Sequence, residues 1–101
     1  MATLVNVDMQ TTSVTIEKEL YDEIMGLIRE RRKKPVFTTV NKSHIFRAGA
    51  RLILALARLR AGGRDLSQLY SLLKEEMGED GVRALEDLVE ALASIYSYRG
   101  S

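Results

Sequence analysis

The chain of 101 residues has the length of one small domain, or of a small domain with an extension, and its net charge is +1. It lacks cysteine, which excludes disulfides and thiolate metal sites, and it has no run of about 18 apolar residues and no signal-peptide pattern, so we expect no membrane span and a cytoplasmic location. The two halves of the chain differ in charge although the net charge is close to zero. Residues 1–64 carry twelve Lys/Arg and six Asp/Glu, whereas residues 65–101 carry three and eight, which suggests that the first half faces a polyanion.

Residues 1–10 show no strong pattern and are interpreted as a flexible arm. The next six residues, TTSVTI, are rich in β-branched side chains and predict a strand. Alternation would place Val14 and Ile16 on one face and the hydroxyls of Thr11, Ser13 and Thr15 on the other. Because a lone strand cannot satisfy its own backbone groups, we expect it to pair antiparallel with the same strand of a second copy. Such a two-stranded ribbon fits the major groove of DNA.

Two amphipathic helices are predicted next. The first covers about residues 17–34, with an apolar stripe at i, i+4, i+7 and i+8, and Pro35 ends it. The second covers residues 42–60. Asn41 is its expected N-cap, with a side-chain oxygen that accepts a backbone N–H two or three residues on, and Gly62-Gly63 ends it.

The acidic half predicts a helical hairpin over residues 65–98. Asp65 is expected to cap a helix over about residues 66–77, residues 78–81 form a turn, and a last helix covers about residues 81–98. The acidity of this extension makes direct contact with DNA unfavourable. It is instead expected to pair dimers into tetramers or to receive a partner protein.

The strand and the first two helices together resemble the ribbon-helix-helix family, of the Arc and methionine repressor type. The residues that carry this resemblance are Ser13–Ile16 running into Glu17–Leu20, and the sequence Asn41–Arg47, NKSHIFR, which opens the second helix. It covers about residues 11–56. The chain departs from the family in two ways: Pro35-Val36-Phe37 lengthens the turn, and Thr11 stands where the family often has a charged or amide side chain.

The resemblance implies a mainly α fold, a ribbon-helix-helix dimer over residues 11–61 that is followed by the helical hairpin. It implies that Thr11, Ser13 and Thr15 contact bases in the major groove, although a solvated strand face is the alternative. The start of the second helix would hold a phosphate, because backbone N–H groups at a helix N-terminus suit an anion. The phosphate contacts are expected at Asn41, Lys42 and Ser43. Lys33 and Lys34, at the end of the first helix, could widen that surface, or could equally serve as a favourable partner for the dipole of the first helix.

The sequence therefore predicts a homodimeric, sequence-specific transcriptional regulator of the repressor kind that binds double-stranded DNA, with a possible tetramer through residues 65–98. His44 is the only histidine, so we expect no metal site, and we expect no catalytic residue, no cofactor and no enzyme. Two alternatives stay open. The chain could be an antitoxin or plasmid-maintenance protein whose C-terminal helices bind a partner protein, or a helical scaffold that binds no DNA.

Overall fold

The computed structural model describes residues 10, 12–33 and 40–99, without the side chains of residues 31–33. Three helices make up most of this part of the chain: α1 (Lys18–Lys33), α2 (Lys42–Ala61) and α3 (Ser67–Arg99). The chain divides into two compact units, Met1–Val40 and Asn41–Ser101, and each is considered by itself. No helix among the described residues is long and apolar enough to cross a membrane.

In the first unit, α1 begins where the predicted helix begins, within one residue. Ile24 and Ile28 of its apolar stripe are buried, whereas Leu20 and Leu27 of the same stripe are 46% and 58% exposed. Lys18 Nζ lies 2.7 Å from Asp22 Oδ2, an exposed i, i+4 ion pair. Such a pair adds only about 0.3–0.5 kcal/mol to helix stability. The apolar face of α1 is thus only partly covered within the chain.

The predicted strand over residues 11–16 is wrong, and with it the β-ribbon of the predicted ribbon-helix-helix dimer. Residues 12–17 form neither strand nor helix, Val14 is 56% exposed, and Thr11 lies outside the described residues. The physical reason is that β-branched residues favour a pleated, half-buried surface by no more than about 1 kcal/mol. A strand exists only where a neighbour accepts its hydrogen bonds, and the described part of the chain supplies none. The mainly α part of the prediction agrees with the structure.

The boundaries of α2 follow from its capping residues. Asn41 has an extended backbone (φ −149°, ψ 174°), and its Oδ1 accepts a hydrogen bond from the His44 backbone N–H at 2.8 Å, which confirms the predicted N-cap. At the other end Gly63 has φ +90°. The Gly63 N–H donates to the Arg60 carbonyl at 3.0 Å and the Arg64 N–H to the Leu59 carbonyl at 3.1 Å. These two bonds form a Schellman motif, which satisfies the last carbonyls of α2.

Helix α3 is two helical segments that meet at Gly78. Gly78 has φ +78° and ψ +163°, a conformation essentially restricted to glycine, so the helical path is broken there and resumes at Glu79. We call the segment before it α3N (residues 67–77) and the one after it α3C (residues 79–99). The sequence predicted a turn over residues 78–81, but the break is confined to its first glycine. Asp65 Oδ1 accepts the Ser67 N–H at 3.0 Å at the start of α3N.

The core of the second unit is small and lies between α2 and α3. Ala57 and Val89 have no exposed surface, and the other buried side chains are those of Leu56, Tyr70, Val82 and Ala93. Two small residues at the centre allow close approach of α2 and α3C. An ion pair closes the edge of this interface, since Arg60 Nε lies 2.7 Å from Glu90 Oε2. The remaining faces of both helices carry large apolar side chains that the chain leaves uncovered.

Candidate nucleic-acid interface

Helix α2 is basic along its whole length. Its twenty residues, KSHIFRAGARLILALARLRA, include five Lys/Arg and not one Asp or Glu. The absence of a carboxylate matters most in the first turn, where an acidic side chain would usually neutralise the positive end of the helix dipole. The first turn of α2 therefore contributes no negative charge of its own, and the exposed side chains of Lys42 and Ser43 lie at this end.

Three arginines of α2 form a row on one face. Arg47, Arg51 and Arg58 are spaced by four and seven residues, which puts their side chains in line along a helix of 3.6 residues per turn. All three are exposed. The row spans about 16 Å at 1.5 Å per residue. We call these residues the arginine row.

The arginine row has no carboxylate partner among the described residues. Arg47 Nε donates to the Ser43 carbonyl at 3.3 Å, within α2 itself. Arg58 Nη1 donates to the Tyr96 hydroxyl at 3.4 Å, with its Cζ 5.9 Å from the centre of the tyrosine ring. Two of the three charges, those of Arg47 and Arg58, are thus positioned by neutral groups, and no carboxylate among the described residues neutralises any of the three. An arginine in this state can bind a phosphate with two parallel hydrogen bonds.

Arg60, the fifth basic residue of α2, has a different role. Its Nε pairs with Glu90 and its Nη1 donates to the Arg64 carbonyl at 3.3 Å, so it joins α2 to α3C. The side chains of this ion pair are 40% and 52% exposed, and solvent screening limits its contribution to stability. Arg60 is therefore not counted in the arginine row.

Tyr70 is buried near the ion pair of Arg60 with Glu90. Its hydroxyl oxygen is inaccessible to solvent and has no hydrogen-bond partner among the described residues. Burial, followed by the negative charges of Glu90 and Glu86, raises the pKa of Tyr70, while Arg60 acts in the opposite direction. At the exposed start of α3N, hydrogen bonds from Ser67 lower the pKa of Asp65. Neither group faces the arginine row, and we assign both to the fold rather than to binding.

Three of the predicted phosphate-binding residues lie at the start of the helix that carries the arginine row. Asn41, Lys42 and Ser43 lie at the start of α2, where the Asn41 side-chain oxygen is already used as the helix cap. Lys33 is the last residue of α1, with a side chain outside the description, and Lys34 lies outside the described residues altogether. The structure therefore brings the predicted residues 41–43 together with the arginine row on one helix.

The predicted base-contacting trio is not assembled as expected. Ser13 and Thr15 are exposed but belong to a segment without strand geometry, and Thr11 is outside the described residues. The alternation that aligned the three hydroxyls on one face has no basis without the strand.

Sequence reasoning did not single out the arginine row. The signal was present in the sequence, because arginines at i, i+4 and i+11 in a helix without carboxylates line one face. No group of three or more His, Asp or Glu side chains in the described part of the chain could hold a metal ion.

Comparison of the chain with protein-family models, curated proteins and solved structures finds no match in any of the three. The resemblance to the ribbon-helix-helix family therefore stays a prediction from residues 41–47, without the ribbon.

Proposed function

We propose that the protein is a homodimeric DNA-binding regulator that holds the phosphate backbone with α2. The observation that carries the proposal is the arginine row, which lies on a helix without a single carboxylate. Duplex DNA carries one negative charge per about 1.7 Å of its axis, so a row about 16 Å long can meet several phosphates at once. Contacts of this kind fix position on the duplex, and base reading is not assigned to any residue here.

The arginine row is unfavourable for the free helix, and this supports an anionic partner. Like charges at i and i+4, such as Arg47 and Arg51, destabilise a helix by about 0.2–0.5 kcal/mol. An ordinary solvated helix face would relieve that repulsion with interspersed acidic residues, and α2 has none. A polyanion relieves it when it binds. This argument favours DNA binding over a helical scaffold.

The apolar side chains of α2 support the homodimer. Outside its basic positions α2 is built almost entirely from Leu, Ile, Ala and Gly, and a helix that is apolar over most of its circumference is usually buried. Within this chain it is not, since Leu52, Leu54 and Leu59 are 59%, 39% and 45% exposed. In the other unit, considered by itself, Leu20 and Leu27 of α1 are exposed as well. A second copy would cover exposed apolar side chains of this kind. Two copies related by two-fold symmetry would present two arginine rows to a pseudo-palindromic site.

The direct test is binding of a fluorescent random-sequence duplex, followed by anisotropy. Arg47→Ala combined with Arg51→Ala should weaken binding by at least about tenfold. A single charge-assisted contact of roughly 1.5 kcal/mol already corresponds to about tenfold, and the double variant removes more than one. Arg83→Ala is the matched control, because Arg83 is an exposed arginine of α3C that lies 3.7 Å from Glu79 and outside the row. Equal affinity of the double variant and the control would contradict the proposal.

Selection of bound duplexes from a random library tests the regulatory part of the proposal. A homodimer that regulates particular genes should enrich an inverted repeat. Enrichment of no sequence would contradict a sequence-specific regulator, even if the arginine variants had confirmed backbone binding.

A second candidate is the antitoxin-like role, in which a partner protein covers apolar surface of the helices. The same exposed leucines of α1 and α2 favour it, because they bind a foreign helix as readily as a second copy. Light scattering separates the two: a purified chain that stays monomeric at all concentrations would favour a partner protein, whereas the homodimer predicts at least twice the monomer mass.

A further inference from the structure

Helix α3C carries an exposed apolar seam with heptad spacing. Its members follow one another at alternating intervals of three and four residues, which is the a/d repeat of a coiled coil. They are Gly81, Ala84, Leu88, Ala91, Ile95 and Tyr98. Leu88, Ile95 and Tyr98 are 47%, 52% and 85% exposed, so the chain itself does not cover the large members of this set. We call these six residues the α3C seam.

Large and small residues of the α3C seam would face each other if a second copy of the helix ran antiparallel to the first. If a second α3C is laid antiparallel with its centre between Leu88 and Ala91, position 81 faces 98, position 84 faces 95, and position 88 faces 91. Every layer then joins one large side chain and one small one, and alternating sizes allow facing layers to interdigitate. A two-fold axis at the centre generates all six contacts from three.

The charges of α3C select the same direction. Its acidic residues lie at positions 79, 80, 86, 87 and 90, with Arg83 among them, while positions 91–98 have no charge and Arg99 ends the helix. A parallel pair would place these acidic halves side by side, which is unfavourable. In an antiparallel pair each acidic half lies along the uncharged half of the other copy, with Arg99 near its acidic end.

We propose that two copies of this chain associate through antiparallel packing of their α3C seams. All six seam residues belong to α3C, and the proposal does not rest on DNA binding. If α1 and α2 also form the homodimer proposed above, the seam joins two dimers into a tetramer. If they do not, the seam forms a dimer by itself.

Mass measurement tests whether the seam mediates association. Leu88→Glu combined with Ile95→Glu should halve the mass seen by sedimentation equilibrium without DNA, from tetramer to dimer or from dimer to monomer. A monomeric unaltered chain would itself overturn the proposal. Leu72→Glu is the matched control, since Leu72 is 75% exposed on α3N, outside the seam, and its replacement should leave the mass unchanged. An unchanged mass in the seam variant, with helical circular dichroism retained, would overturn the proposal.

Cysteine cross-linking tests the direction and stays informative if the charged variant fails to fold. The described residues contain no cysteine, and the sequence has none, so introduced thiols have no competitor. A mixture of Ala84→Cys and Ile95→Cys chains should give a mixed disulfide dimer upon oxidation. Neither variant alone should cross-link, because its own two copies would be about 16 Å apart along the helix axis, beyond the roughly 7 Å between Cα atoms that a disulfide spans. Self-cross-linking of each variant would show parallel packing, and no cross-link in the mixture would refute the seam contact.

Discussion

Replacement of Gly78 by alanine tests the break in α3, which gives the acidic region its two segments. Gly78 has φ +78° and ψ +163°, where a Cβ is strained by about 1–3 kcal/mol. No atom lies within 4 Å of the added Cβ, so the effect comes from the backbone rather than from a clash. Alanine also reduces the freedom of the unfolded chain, which offsets about 0.4–1 kcal/mol. The net expectation is a loss of about 1–2 kcal/mol in the free energy of unfolding.

The sign of this effect decides between a broken helix and a continuous one. In an uninterrupted 33-residue helix, alanine would be better than glycine by about 1 kcal/mol. For a unit of this size, 1 kcal/mol corresponds to a change in Tm of about 4–8 °C. Gly78→Ala should therefore lower the Tm measured by circular dichroism, by about 4–16 °C.

D-Alanine at position 78, introduced by chemical synthesis, is the matched control for this experiment. It adds the same methyl group, but its mirror-image preference accepts the observed φ and ψ, so it should keep or raise the Tm. A higher Tm for the L-alanine variant would refute the break at Gly78.

Three further substitutions test the interface between α2 and α3 and the N-cap of α2. Tyr70→Phe should raise the free energy of unfolding by about 1 kcal/mol, because it removes a buried hydroxyl without a hydrogen-bond partner. Since burial raises the pKa of Tyr70, the unfolded chain loses the phenol proton first, and wild-type stability should fall above about pH 10 relative to the variant. If the free energies of unfolding of wild type and Tyr70→Phe, measured by urea titration, differed by the same amount at every pH, this explanation would be contradicted. Asn41→Ala should lower stability by about 1 kcal/mol through loss of the helix cap, and Asn41→Asp, which keeps a cap oxygen, should not. Glu90→Gln should cost no more than about 1 kcal/mol, and less at high salt, because the ion pair with Arg60 is half exposed.

The helices were predictable because their signals are local. Pro35, Asn41 and the glycines at positions 62 and 63 act on the backbone within a few residues of themselves, and the cap of α2 and the end of α2 follow from them. The break at Gly78 was also expected near its position. Sequence spacing alone did not show which of Gly78 and Gly81 would leave the helical conformation.

The strand was not predictable in the same way, because its formation depends on a neighbour. Thr12, Val14 and Ile16 have strong β preference, but preference cannot supply acceptors for backbone N–H groups. Which residues of an apolar stripe are buried was equally hard to predict. Leu20 and Leu27 belong to the same stripe as Ile24 and Ile28, yet only the isoleucines are buried within the chain. Which side of an amphipathic helix is covered depends on what packs there, and periodicity does not reveal that.

The candidate site was predictable only in part. The start of α2 was singled out from the general properties of a helix N-terminus, whereas the alignment of Arg47, Arg51 and Arg58 on one face was overlooked. That alignment follows from the spacing, but the neutral partner of Arg47, the Ser43 carbonyl, is visible only in the structure.

The salt dependence of DNA binding tests the central claim most directly. If the arginine row of each copy binds phosphates, log K should fall linearly with log salt, with a slope of about −0.9 for each phosphate that is neutralised. In a homodimer, Arg51→Ala removes two such contacts, so the slope should become shallower by about 1.8, while Arg83→Ala leaves it unchanged. A slope near zero for the unaltered chain, or the same slope for all three proteins, would contradict the account.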